Sequence, residues 1–530
     1  MSERFDITGL DIGILIGYLV LSRIIPLLLT PKSEDSGDYF LGGRNFVWPL
    51  IGFSLFATNM SGASFVGLAG AGYSQGISVY SYEWMTSVIL VVFIFFILPF
   101  YLRSGAFTMP QFLGQRYDQR SRLTFSTFNL FAMMFIDMAS ALYAGGLVFQ
   151  TLFPVIPLWV SILGLAVLAA VYTIFGGLGA VVISDTIQAI VLFIGGTVVA
   201  ILTFMAIPSW EAVREAAAPG QLHIIQPASS DTLPWPGLLT GVLVIGTYYW
   251  TTNQVVVQRT LGAKSLDHGR WGAIFAGFLK IPLLFLMILP GAMALVLYPN
   301  LDNPDLVFPT LAFDLLPEGI RGLILAAVVA AITSTVDSVL NSASTLVTMD
   351  FVQTFRPETS QRGLVFAGRV ATVGALIFAV AWAPQIARFG TLYGYLQSVL
   401  SFVTPPIVAT FLLGIAWNRT SATAAFTTLA TMIPLGVVGF ILTQVPSTQI
   451  FEIQFLYGAG VSFTLSILLL VAVSLVTAPP SAEVVENLTW RPELWRKETE
   501  ELRGTPWYLN YRYLSIALLV TTGIVVVWWA

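Results

Sequence analysis

The stretch Thr58-Asn59-Met60-Ser61-Gly62-Ala63-Ser64 decides how this chain must be read. It interrupts an apolar run, from about 46 to 72, that is long enough to cross a bilayer, which takes roughly 20 residues of helix. Small polar residues and a glycine weaken the helix there and release carbonyls. Backbone in hydrocarbon must find its hydrogen bonds within the protein, so a broken helix is tolerated where it lines a cavity or binds something. A second interruption, Gly246-Thr247-Tyr248-Tyr249-Trp250-Thr251-Thr252-Asn253-Gln254, lies in the run 237–260. Paired interruptions in the two halves of a chain point to a transporter's binding site. Ordinary packing of small residues between helices is the competing explanation.

Outward from these two segments the same apolar character continues. The 530 residues are 56% hydrophobic and 10% charged, against about 25% charged in soluble domains. About 14 spans are predicted from runs of that length: 8–29, 46–72, 79–101, 123–150, 154–174, 181–207, 237–260, 269–298, 322–349, 364–387, 390–416, 421–443, 450–476 and 510–530. The expected fold is therefore an all-α integral membrane protein. The interrupted spans are the second and the seventh, as an inverted five-helix repeat requires. The division expected is a leading helix and first loop (1–45), a first repeat (46–207), an external loop (208–236), a second repeat (237–416) and trailing helices (417–530). A cytoplasmic segment, 477–509, lies among the trailing helices. Its part from Val484 to Trp507 mixes charge with Trp490, Trp495 and Trp507. That suits either a helix at the membrane interface or a solvated linker.

Most of the 24 Lys and Arg fall in alternate loops, leaving Arg4, Arg214, Arg321 and Arg388 on the opposite side. Positive charge favours the cytoplasm, so both termini are expected outside a cell membrane. Arg259 counts here among the inner-loop residues. There is no cysteine, which excludes disulfides, thiolate metal sites and cysteine nucleophiles. His223 and His268 both fall in loops, which argues against a buried histidine relay or a histidine-bound metal. A net charge of −4 gives no case for a nucleic-acid partner.

The ninth span carries Ser334, Asp337, Ser338, Asn341 and Thr345 on one helical face. Hydroxyls alone are interhelical glue. A carboxylate among them costs about 2.5–3.5 kcal/mol to insert, and hard oxygens of this kind suit an alkali cation. Glu83, Asp137, Asp185 and Lys280 also lie well inside spans. Lys280 can line a solute path or pair structurally with Asp137, while Asp185 and Asp337 can share a cation or a proton.

Five motifs carry a resemblance. They are Ser54 to Gly70; Tyr82-Glu83-Trp84; Phe175 to Ala180 leading to Asp185 and Gln188; Gln254 to Lys264; and Asn341 to Asp350. Over residues 38–420 these resemble the sodium/solute symporter family, in its sodium–glucose cotransporter branch. The resemblance implies the inverted-repeat architecture of the leucine transporter. It implies a sodium site from the carbonyls of Ala57, Met60 and Ala331 and the hydroxyls of Ser334 and Thr335. It also implies a second sodium site, present in some members, at Asp185, Ser334, Asp337 and Ser338. Sugar-contact positions of the branch map onto Asn59, Ser64, Glu83, Thr86, Lys280 and Gln397. Tyr249 and Trp250 match an inner aromatic gate, and Tyr393 an outer one. Two positions depart from the branch: Ser64 is shorter than usual for sugar carriers, and Gly246 stands where at least one bacterial branch has asparagine; Asp337 stands where some sugar carriers have a small neutral residue.

The expectation is sodium-coupled symport of a hexose or similar polyol, with sodium as coupling ion and no organic cofactor. A same-fold symporter for an inositol, a sialic acid or a carboxylate is the first alternative, and a proton-coupled carrier the second. An integral-membrane enzyme lacks support, since no metal cluster, membrane histidine or large catalytic domain is present. A channel would need a repeated pore-lining ring, and none is seen.

Overall fold

The computed structural model describes residues 8–30, 36–60, 62–152, 155–301, 303–389, 392–444, 448–450 and 452–530. Among these residues the backbone is helical, with two isolated β-bridges and no strand. Ten helices are long and apolar enough to cross a membrane, and one bent pair makes eleven. In chain order the elements that position the site are α1 (Gly9–Leu29), α2 (Trp48–Asn59), α3 (Gly62–Ser74), α4 (Ile77–Ser104), α5 (Gln119–Gln150) and α6 (Leu158–Ala206). There follow α7 (235–252), α8 (Gln254–Leu261), α9 (Leu266–Leu297), α10 (Ile320–Phe355), α11 (Gln361–Ile386), and the pair α12 (Leu392–Val403) and α13 (Pro405–Ala416). The chain closes with α14 (Ala422–Gln444), α15 (Phe455–Val476), α16 (Pro492–Glu501) and α17 (Tyr511–Trp528).

Of the fourteen expected spans, three fall short of that test, each for a local reason. The second is split between α2 and α3, and the seventh between α7 and α8, at the interruptions read from sequence. The fifth, 154–174, is the first part of α6, in which helical hydrogen bonding runs for 49 residues. In a straight helix Leu165 and Asp185 would stand about 30 Å apart. Instead Leu165 packs with Ile332 around Gly145, while Asp185 bonds Ser334. Both therefore lie beside the same turn of α10, closer together than a straight helix would allow.

The breaks have identifiable causes. Met60 takes a non-helical conformation (φ −80°, ψ 63°) that ends α2. Asn253 is extended (φ −67°, ψ 123°), and its side chain caps α8 by accepting from the Val255 N–H at 2.8 Å. Close packing holds the broken elements in place. A side chain on Gly291 of α9 would stand 2.1 Å from the Ala69 carbonyl of α3, so only glycine permits this approach. The leading helix is tied to the core through Asp11, which accepts from the Gly319 and Gly322 amides at 2.8 and 2.9 Å. Asp11 thereby caps α10, where an acidic side chain complements the positive helix end.

The segment read as an interfacial helix or a linker forms two short helices, Ala482–Leu488 and α16. Trp495 stacks on Phe95 of α4, with ring centroids 5.5 Å apart. Glu498 of α16 accepts from Arg270 of α9 at 2.5 Å and from Tyr511 of α17 at 2.6 Å. This segment is thus docked on the helical bundle rather than solvated throughout.

Candidate functional site

The two interruptions meet. The Tyr249 hydroxyl lies 3.5 Å from the Thr58 carbonyl, and around this contact the helices enclose a cavity of about 140 Å³. A single water needs only about 10–15 Å³, so the space suits a small solute. α2 and α3 contribute Thr58, Asn59 and Ser64 to the wall, and α4 contributes Glu83 and Thr86. Opposite them stand Gly246, Tyr249, Trp250 and Asn253. Asp137 and Ser140 of α5, Thr335 of α10 and Gln397 of α12 complete it.

Lys280 is buried beside this wall. Its ammonium donates to the Glu83 carboxylate at 2.6 Å and to the Asn59 side-chain oxygen. It also faces the rings of Trp250 and Phe56, 5.8 and 5.9 Å from their centroids, within the range of cation–π attraction. Glu83 and Lys280 are 7% and 1% exposed, so each neutralises a charge that could not stand alone there. The Trp250 indole N–H donates to Thr86 Oγ1 at 2.9 Å, which fixes the ring that the sequence assigned to a gate. Ser64 directs its hydroxyl to the Asn59 carbonyl at 2.8 Å, satisfying an acceptor released by the break. Several wall atoms have no protein partner: Gln397 Oε1, Thr58 Oγ1 and Ser140 Oγ are all enclosed without a hydrogen bond. Each such atom costs about 1–3 kcal/mol if left unmatched, and a solute rich in hydroxyls can match them.

Directly beside the cavity, α2, α6 and α10 converge on Asp185. Ser54 of α2 donates to it at 2.6 Å and Ser334 of α10 at 2.5 Å. The Thr335 hydroxyl donates to the Ala331 carbonyl at 3.0 Å. Hydroxyl and carbonyl oxygens are the donors a hard monovalent cation takes, and Thr335 shares the cavity wall with Thr58 and Asn59 at the broken end of α2.

The family model of the sodium:solute symporter family matches residues 39–432. The chain belongs to the sodium:solute symporter family. Among similar proteins, sodium/myo-inositol cotransporter 2 of Sus scrofa is 34% identical over 532 residues, covering 91% of this chain and 78% of the relative. Sodium/glucose cotransporter 1 of Oryctolagus cuniculus is 32% identical over 535 residues, covering 91% and 81%. The solved structure of a sodium-coupled sialic acid symporter, outward-open and substrate-bound, covers 90% of this chain and all of its own, with a TM-score of 0.75 at 22% identity. That likeness gives the symporter its fold.

In this symporter most of the sugar-contact positions read from sequence do surround one space. Asn59, Ser64, Glu83, Thr86 and Gln397 line it, and Lys280 reaches it through Asn59 and Glu83. Tyr249 and Trp250 line it too, whereas the Tyr393 side chain lies outside the described residues. The alternative pairing of Lys280 with Asp137 is corrected: Lys280 pairs with Glu83, and Asp137 stands on the wall near Asn253. At Asp185, one of the residues of the implied second sodium site, the structure places a cation of the chain's own. Arg259, counted as an inner-loop residue, is fully buried in α8 and lies 3.4 Å from Asp185. Its guanidinium also donates to Ser338 at 2.5 Å, to Ser54 at 3.3 Å and to the Val255 carbonyl. Asp185 therefore has a built-in counter-ion. Asp337 is buried on α10, one turn beyond Ser334.

Ser54, Ser140 and Asn253 were not singled out from sequence. Asn253 had a readable signal, since it is an N-cap residue opening a helix. Arg259 had a weaker one: a buried Asp185 demands a cation, and Arg259 sits at a helix end. The π-turns at Met133–Met138, carrying Asp137, and at Tyr248–Thr252, carrying Tyr249 and Trp250, leave no sequence mark. Such turns recur at functional sites because they re-aim side chains.

Proposed function

We propose that this symporter couples sodium entry to uptake of a neutral cyclic polyol, a hexose or an inositol, by alternating access. The carrying observation is the Lys280–Glu83 pair, with Glu83 on the cavity wall and Lys280 directly behind it. It offers a strong donor and a strong acceptor without net charge, beside enclosed oxygens of Gln397, Thr58 and Ser140 that lack partners. A polyol supplies many directed hydrogen bonds of both kinds, and the Trp250 and Tyr249 rings suit its C–H faces. An anion would meet Glu83 and Asp137 on the same wall. The named relatives carry glucose or myo-inositol in their names, in keeping with this class.

Sodium is proposed to bind between the broken end of α2 and α10, to the carbonyls of Ala57, Met60 and Ala331 and the hydroxyls of Ser334 and Thr335. Asn59, Ser64, Glu83, Thr86, Lys280 and Gln397 are proposed to hold the solute, with Tyr249, Trp250 and Tyr393 as gates. The repeats are proposed to span 46–207 and 237–416, with both termini outside the cell membrane. Sodium-dependent uptake of labelled glucose, galactose and myo-inositol into proteoliposomes, with sialic acid and small carboxylates as competitors, tests the reading. Uptake of one of the neutral polyols that stops without sodium is expected. Uptake confined to the carboxylates, or undiminished in sodium-free buffer, would overturn it.

A further inference from the structure

Below the Asp185 cluster, α10 continues as a polar stripe. Ser334, Ser338, Asn341 and Thr345 repeat at three- and four-residue spacing and so share one face. Two networks occupy that face. At one end Arg259 joins Asp185, Ser54 and Ser338. Further on, Gln258 of α8 donates to Thr345 Oγ1 at 3.1 Å and to the Phe40 carbonyl at 2.7 Å, and accepts from Ser342 at 2.9 Å. The Asn341 side chain stands between the two networks and belongs to neither. It is 1% exposed, and neither its amide oxygen nor its amide nitrogen has a partner. Ser344 Oγ, one turn on, is equally enclosed and equally without a partner.

An amide in hydrocarbon with no hydrogen bond is costly, and leucine of nearly the same shape would carry no such cost. These unmet groups call for a partner that comes and goes. We propose that Asn341 and Ser344 form a station for a partly hydrated sodium ion, on a route that leads from the Ser334 site along α10 towards Asp350. At that far end the Asp350 carboxylate is held by Arg122 at 2.7 Å and by Thr108 and Ser126 at 3.0 Å. In the orientation proposed above, this end faces the cytoplasm, so the route serves release. Amide and hydroxyl oxygens replace part of the ion's water shell, and Asp337, one turn before Asn341, supplies the field that draws the cation inwards. The inference rests on sodium coupling at Ser334 and extends it to the exit step.

A release station separates two transport modes. Net uptake requires sodium to leave, whereas solute exchange with equal high sodium on both sides does not. In proteoliposomes of the full chain, Asn341→Leu should slow net uptake about tenfold, with exchange and the half-saturating external sodium unchanged. Asn341→Asp, which keeps an oxygen in place, should restore net uptake, and Ser344→Ala should slow it less than Asn341→Leu. Normal net uptake in both Asn341→Leu and Ser344→Ala overturns the proposal, as does an equal loss in both modes. A shift in half-saturating sodium at an unchanged maximal rate also overturns it, because Asn341 would then belong to the binding site. A wild-type protein indifferent to sodium overturns the coupling reading itself.

Discussion

The Arg259 guanidinium stands 3.4 Å from the Asp185 carboxylate, and both side chains are fully enclosed. The pair links α8 to α6, and through Ser54 and Ser334 it also reaches α2 and α10. It lies where the two halves of the chain meet. Removing one partner strands a buried charge, which costs about 3–5 kcal/mol. Arg259→Leu should therefore lower the melting temperature of the solubilised protein sharply, and adding Asp185→Asn should recover most of the loss. Equal melting of wild type and Arg259→Leu would show that the pair contributes nothing.

The same pair bears on stoichiometry. With Asp185 already neutralised by Arg259, no second sodium is needed to balance it. Asp337→Ala should then leave the charge moved per solute unchanged. A fall in that ratio, measured as current against labelled uptake, would favour the two-cation reading.

Sodium affinity should depend on Ser334 and Thr335. Changing both to Ala removes two hydroxyl ligands and should raise the half-saturating sodium at least tenfold, about 1.4 kcal/mol. An unchanged sodium dependence would remove these residues from the site.

Solute affinity should depend on Lys280 more than on Gln397. Losing a hydrogen bond to a charged group costs about 1.5–3 kcal/mol, against roughly 0.5–1.5 for a neutral one. Lys280→Ala should weaken uptake roughly ten- to hundred-fold, and Gln397→Ala less. Asp137→Asn should alter the ranking of competing sugars, since Asp137 faces the same cavity. An unaltered ranking would make Asp137 a bystander.

Docking of α16 should respond to acid. Burial pushes the Glu498 carboxyl up, but the Tyr511 hydroxyl and the Arg270 and Arg512 guanidiniums outweigh this and hold it below the usual carboxylate range. A group depressed in the folded state stabilises fully above its unfolded value, about 4.3 for Glu, and loses that contribution as pH falls below it. Fluorescence of Trp495, stacked on Phe95, should stay constant from neutral pH to about 5 and change below about 4. Glu498→Gln should abolish that acid transition.

The spans were legible in the sequence because a bilayer imposes one rule on every segment. Each must be apolar for about 20 residues and must bond its own backbone. Departures from that rule, at Thr58 to Ser64 and at Gly246 to Gln254, located the cavity before any contact was known. Motif resemblance then named most of its wall. What tertiary structure alone decided was which charges face one another. Lys280 had Asp137 and Glu83 within the same membrane, and spacing along the chain cannot choose between helices that come together only on folding. Arg259 looked like a loop residue because it stands at the inner end of the seventh predicted span, 237–260. Only the packing of α8 against α2 and α10 encloses it. Burial of that kind arises from the approach of distant helices, and it alone turned a positive charge near a helix end into the counter-ion of Asp185.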